Sequence, residues 1–256
     1  MQRPYRGLSG DLASGSFKSV EDLRILLWDI DGTLVRSARV GIFKSYTVPV
    51  LEEVFGTAGR LRDMTVSGMT DLQIVFEALR DEEFTDGQIR ERMRDLRTRY
   101  MRAMERATGN GEQLFEVLHG VREALMATNR HPRYRNALLT GNIRPAARLK
   151  ISLVNLSQFF DLPGAFGSDS HDRRDLPALA MRRINRHLKL ELRPRQFIVI
   201  GDTPNDIACA RHFGARAVAI ATGRTYNLDQ LLPHQPDAIL PDLSDTELLI
   251  RTLDEL

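Results

Sequence analysis

Apolar residues recur along this chain in two rhythms, and their alternation organises it. The first rhythm is a short continuous run. Arg24-Ile25-Leu26-Leu27-Trp28 is almost wholly apolar and stops at Asp29. Residues 136–139, 196–200, 215–220 and 237–240 repeat the form, and 164–166 is a shorter copy. Strands apolar on both faces are what a parallel sheet covered on both sides requires. The second rhythm has helical spacing and fills the intervals, over 143–156, 175–188, 204–213 and 245–255. Strands alternating with helices predict βαβ units with right-handed crossovers, and so an α/β fold built on a doubly wound parallel sheet.

One interval breaks the alternation. Residues 38–112 contain no strand pattern, and their apolar residues keep to helical spacing: Ile89, Met93, Leu96 and Tyr100 form a single stripe. Between Arg80 and Arg106 there are 8 Arg and 7 Asp or Glu, a near-cancellation that fits a solvated helix face better than an anion-binding patch. The expected organisation is an arm at 1–22, a core formed by 23–37 and 113–256, and a helical insertion at 38–112. The chain is expected to rejoin the core in a helix near 116–128.

Composition changes this picture in three places. The 36 basic and 34 acidic residues leave a net charge of +2, which excludes a nucleic-acid binder working through bulk electrostatics. A single cysteine, Cys209, excludes a disulfide framework within the chain and speaks against a cysteine zinc site. No apolar stretch resembles a signal peptide or approaches the ~20 residues of a membrane span, so a cytoplasmic protein without membrane contact is expected. The basic residues are also lopsided, with Lys only at 18, 44, 150 and 189 and Arg elsewhere.

Ligands of open parallel sheets bind beyond the carboxyl ends of the strands. The first strand delivers Asp29-Ile30-Asp31-Gly32-Thr33 there, the second Thr140-Gly141-Asn142, and the strand at 196–200 delivers Gly201-Asp202-Thr203-Pro204-Asn205-Asp206. Four carboxylates, Asp29, Asp31, Asp202 and Asp206, can therefore converge on one crevice. Clustered carboxylates repel one another unless a cation joins them, and oxygen donors favour a hard ion such as Mg2+. Of Asp29 and Asp31, one can act as nucleophile and the other as acid and base. Gly32 allows a sharp turn after the strand. The Thr140 hydroxyl and the backbone at Gly141 and Asn142 can bind the oxygens of a phosphoryl group.

These three motifs, in this order, resemble those of the haloacid dehalogenase superfamily of aspartate-based phosphatases. The resemblance spans about 24–240 and is closest to the phosphoglycolate-phosphatase-like branch, with its Rossmann-like core and helical C1-type cap. It implies that Asp29 attacks phosphorus and that Asp31 protonates the leaving alcohol. It implies Mg2+ held by Asp29, the backbone carbonyl of Asp31 and Asp202, with support from Asp206. Thr140, Gly141, Asn142 and Gly32 would surround the phosphoryl group.

The family's third motif is usually a lysine. Lys150 lies within the helix after the second motif and Lys189 at the opposite end of the sheet, so Arg173 is expected to serve instead, with Arg174 as runner-up. In the cap, Ser67, Gly68 and Thr70 are candidates for contact with substrate, although Thr70 equally suits a helix cap. Arg36 and Arg39 could reach a distal anion on the substrate or simply be solvated. The resulting expectation is a Mg2+-dependent phosphatase of a small phosphorylated metabolite. A phosphoglucomutase-like phosphoryl transferase is the nearest alternative, and a receiver-like signalling module is an alternative of another class. The oligomeric state is left open between monomer and dimer.

Overall fold

The computed structural model describes residues 20–109 and 113–256. Of the expected N-terminal arm, residues 1–19 lie outside the described residues. Its remainder, Val20–Asp22, is one 3-10 turn, tied down by the Gln196 side chain, which donates to the Val20 carbonyl at 2.8 Å.

The predicted apolar runs form a six-stranded parallel sheet. In chain order its strands are β1 (Arg24–Trp28), β4 (Tyr134–Thr140), β5 (Ala165–Phe166), β6 (Phe197–Gly201), β7 (Arg216–Ile220) and β8 (Ala238–Leu240). Their order across the sheet is β5-β4-β1-β6-β7-β8. Alternate residues of β1 serve opposite faces. Ile25 and Leu27 join Phe197, Val199, Ala217 and Ala219 in one apolar cluster. Leu26 and Trp28 join Ile198, Ile200, Val218 and Ile220 in the other. Each face is covered by helices, which is why the strands read as continuous apolar runs. The indole of Trp28 is buried but satisfied, donating to Asn136 Oδ1 at 2.8 Å.

The covering helices are α4 (Val121–Arg130), α5 (Arg144–Leu153), α6 (Leu176–Leu188), α7 (Pro204–Phe213), the short α8 (Leu228–Leu231) and α9 (Thr246–Asp254). Glycine at 120 and at 214 starts α4 and ends α7 with positive φ. The chain does not rejoin the core directly in a helix near 116. It first forms a two-stranded antiparallel ribbon, β2 (Val35–Ser37) with β3 (Phe115–Val117), in which Arg36 faces Glu116. Three residues per strand are too few to produce a readable alternation, and the exposed Arg36–Glu116 ion pair at 3.2 Å imitates a helix surface.

Between the ribbon strands lie α1 (Ile42–Phe55), α2 (Asp71–Ala78) and α3 (Asp86–Gly109). Ile89, Met93, Leu96, Tyr100 and Met104 are the buried face of α3, and most of its charges point outward. Tyr100 meets Tyr46 of α1 edge to face, with ring centroids 5.6 Å apart. These helices share one continuous apolar cluster with the upper face of the sheet. Among the described residues no helix is long and apolar enough to cross a membrane.

Candidate active site

Strand order reverses at β1, whose neighbours β4 and β6 lead to opposite halves of the sheet, and this is where such folds leave a crevice. Asp29 stands at its mouth. Its N–H still donates to the Ile200 carbonyl at 2.9 Å, so its position is held by the sheet itself. The chain then turns sharply at Gly32, with φ +88°. A Cβ there would lie 2.2 Å from Asp202 Oδ2, so both the turn and the approach of the carboxylate require glycine.

The floor of the crevice is buried and acidic. Asp29, Asp202 and Asp206 are almost inaccessible, and one oxygen of each lies within 4.8 Å of the others. Thr33 Oγ1 donates to Asp202 Oδ1 at 3.1 Å. Asp206 is the third residue of α7, and its Oδ2 accepts from the N–H and hydroxyl of Thr203 in a capping box. Its Oδ1 accepts from the buried Arg173 guanidinium, which also lies 3.1 Å from Asp29 Oδ1. Burial pushes the Asp29 carboxyl up to about 7; Arg173 opposes this, and Asp206 and Asp31 add to it. Burial, with Asp29 and Asp206, holds Asp202 well above the usual carboxylate range. Burial works against the Arg173 charge, but Asp206 and Asp29 outweigh it and raise its pKa further. Hard oxygen donors this close fit a divalent cation, which would relieve their repulsion.

The wall beside the floor is differently built. The Asp31 side chain is 42% exposed. Its Oδ2 accepts from Lys150 Nζ at 2.7 Å and Asn142 Nδ2 at 2.6 Å, and its Oδ1 from Lys150 at 2.8 Å. Lys150 also donates to Asn142 Oδ1 at 2.7 Å, and Asn142 Nδ2 reaches Thr140 Oγ1 at 2.8 Å. Sequence reasoning passed over Lys150. Its signal was present: Ala146, Ala147, Lys150 and Ile151 are the buried face of α5, and a lysine on such a face needs a partner.

The insertion roofs the cavity. Ser67, Gly68 and Met69 line a space of about 190 Å³ together with Asp29, Asp31, Thr140, Asn142, Lys150 and Arg173. Gly141 lets the roof approach, since a Cβ on it would lie 2.1 Å from the Met69 carbonyl oxygen. Asp71 latches the roof: its N–H donates to the Gly141 carbonyl at 2.7 Å and its carboxylate accepts from the Ile143 N–H at 2.8 Å. Burial pushes the Asp71 carboxyl up to about 6.

Two candidates fall elsewhere. Thr70 does not line the cavity; it caps α2, accepting from the Gln73 N–H at 3.0 Å and donating to the His171 carbonyl at 2.9 Å. Arg174 is exposed and grips Asp172, because it is carried on the outer side of the turn that points Arg173 inward. Cys209 is a buried residue of α7, and burial pushes its thiol up to about 12, so it is no ready nucleophile.

Comparison with known proteins bears on the whole arrangement. A family model described as HAD-hydrolase-like matches residues 174–246. A curated phosphoglycolate phosphatase of Photorhabdus laumondii is 25% identical over 229 residues, covering 89% of this chain and 92% of the relative. The chain is similar to haloacid dehalogenase-like hydrolases, in sequence over most of its length and in fold. A further relative in this group, from Caldanaerobacter subterraneus and named for pyrophosphatase activity, is 25% identical over 232 residues and covers 90% of this chain and 96% of its own length. The fold is shared with the crystal structure of a predicted phosphoglycolate phosphatase from Haemophilus somnus. Its TM-score is 0.63 at 21% identity, covering 91% of this chain and all of that one.

Proposed function

We propose that this chain is a haloacid dehalogenase-like, Mg2+-dependent phosphatase that hydrolyses a small phosphorylated metabolite through an aspartyl-phosphate. The observation that carries the reading is the pairing of Asp29 with Arg173 at 3.1 Å, on a floor shared with Asp202 and Asp206. A carboxylate held beside a fixed cation, below a roofed cavity and next to anion-binding backbone, is equipped to accept a phosphoryl group. The phosphatase names of the similar proteins support the same chemistry.

Asp29, Asp202 and the backbone carbonyl of Asp31 would hold Mg2+, with Asp206 behind them; the ion would supply charge stabilisation to the phosphoryl oxygens. In the first half-reaction, Asp29 forms a bond to phosphorus as the ester P–O bond breaks. The bonding pair leaves on the alcohol oxygen, and the Asp31 carboxylic proton goes to that oxygen. In the second, a water oxygen bonds to phosphorus, its proton passes to Asp31, and Asp29 is released as a carboxylate. Arg173 keeps Asp29 aimed and offsets the phosphoryl charge, while Thr140, Gly141 and Asn142 bound the group from the side. Asp71 and the loop at 67–69 close the space and exclude bulk water.

Beyond the cavity lies a wider mouth of about 550 Å³ bordered by Arg36, Arg39, Lys44 and Arg224. Asp31, Asp63 and Asp202 border it too, and Arg36 is paired with Glu116, so the mouth is mixed in charge. The test is phosphate release across a panel of phosphometabolites, with and without Mg2+. Release from at least one ester, lost on chelation, is expected. Failure on every ester at every metal concentration would overturn the proposal.

A further inference from the structure

Lys150 is a fully buried cation that the chemistry above does not use. It is one of four lysines in a chain with 36 basic residues, so a compact ammonium stands here where this chain otherwise places arginine. The geometry gives a reason. An ammonium has three N–H donors, and Lys150 Nζ meets three acceptors: Asp31 Oδ1 at 2.8 Å, Asp31 Oδ2 at 2.7 Å and Asn142 Oδ1 at 2.7 Å. The planar fork of arginine would not converge on them. The Phe115 ring, 5.3 Å from Nζ, closes the remaining side. All three donors are committed, so none is left for a phosphoryl oxygen.

We infer that Lys150 is a positioning residue that aims Asp31 at the leaving-group oxygen, an inference that rests on the phosphatase reading above. Asp31 is the more exposed partner, at 42% against 4% for the Lys150 side chain, and the side chain of an exposed aspartate on a turn ordinarily samples several rotamers. Lys150 and Asn142 select one. Oδ2 is saturated by two donors at 2.6 and 2.7 Å, whereas Oδ1 accepts only from Lys150 among the described residues, and Asp31 lines the cavity. The proton that moves is therefore carried on Oδ1. It passes to the alcohol oxygen as the P–O bond breaks and is replaced from the attacking water. Asn142 in turn is held by Thr140, so the wall that bounds the phosphoryl group also orients the acid.

The experiment compares two esters that differ in how much they need that proton. An alkyl phosphate has a poor leaving group and depends on protonation; 4-nitrophenyl phosphate has a good one and does not. Lys150→Met keeps the unbranched stem and deletes the ammonium. It should lower kcat/KM for the alkyl ester about 100-fold, the low end of what a placed acid contributes. The aryl ester's kcat/KM should fall by less than about fivefold, since attack by Asp29 is untouched and kcat/KM reports only the steps up to loss of the leaving group, before the water step that Asp31 also serves. Lys150→Arg, tested in parallel because the buried site could reject a neutral side chain, should restore little of the alkyl rate. A crystal structure of Lys150→Met should show the Asp31 carboxylate in a new rotamer. An equal fall in kcat/KM for both esters, or an unmoved Asp31 with full alkyl activity, would overturn this inference alone. No hydrolysis of either ester by the wild-type enzyme would overturn the phosphatase reading and this inference with it.

Discussion

Asp29 and Asp31 are two residues apart, yet the floor and the wall they belong to are built on opposite plans. On the floor, one buried guanidinium grips two of three carboxylates, and burial and repulsion hold Asp29 up to about 7. On the wall, one half-exposed carboxylate has one buried ammonium and one amide to itself. The floor is short of positive charge and the wall is balanced. The contrast suits a division of labour in which the floor gathers a cation and a phosphoryl group and the wall handles a proton. Environment, rather than residue type, assigns the two roles.

The strongest way to break this comparison is to neutralise the floor. Asp29→Asn should reduce phosphate release by at least about 10,000-fold, as loss of a covalent nucleophile does. Its circular dichroism should be unchanged, and its melting temperature at pH 8 without metal should rise, because one buried carboxylate has gone. Undiminished Mg2+-dependent hydrolysis would remove Asp29 from the reaction. The next effect should come from the shared cation. Arg173→Ala should cost about 100- to 1,000-fold in kcat, and about 3–5 kcal/mol of stability through the stranded Asp29 and Asp206 carboxylates. Arg174→Ala, on the exposed side of the same turn, should leave activity within about twofold. Loss of activity only in the second variant would mean that the turn presents the other arginine.

A smaller effect tests the charge shortage directly. The Asp29 pKa in the folded protein lies above its unfolded value, so the fold binds that proton more tightly than the unfolded chain does. The contribution of Asp29 to the stability of the metal-free protein should therefore be greatest below the ordinary carboxylate range and be lost as pH rises to about 7. A divalent ion on the floor reverses the loss. Added Mg2+ should accordingly raise the melting temperature more at pH 8 than at pH 5, by RT ln(1 + [L]/Kd) in free-energy terms. An equal shift at both pH values would place the ion away from these carboxylates.

The floor was legible in the sequence because each member follows an apolar strand, and strand ends of a parallel sheet meet. The continuous runs before Asp29, Thr140 and Asp202 therefore carried topology and site at once. The wall was only half legible. Asp31 and Asn142 come with the strand ends, but Lys150 comes from the middle of a helix, eight residues beyond Asn142, where nothing in strand order points. The buried stripe of α5 was the available signal, and it marks burial without naming the partner. The β2–β3 ribbon was missed for a different reason, since three-residue strands carry too few positions for either rhythm to register.

The roof supplies the mildest test. Thr70 is completely buried and its hydroxyl works twice, accepting from the Gln73 N–H and donating to the His171 carbonyl. Loss of such a cap costs about 1 kcal/mol, so Thr70→Ala should lower the melting temperature by a few degrees, about 2–4 °C for a chain of this size. Thr70→Ser keeps the oxygen and should recover most of the loss. Because Thr70 holds α2 and the loop at 67–69 over the cavity without lining it, kcat/KM should fall by less than about threefold in either variant. Thermal melts and kinetics on the best ester from the panel check both halves. A hundredfold fall in kcat/KM with an unchanged melting temperature would mean that the hydroxyl reaches the substrate. The roof would then share in the chemistry that the present geometry divides between floor and wall.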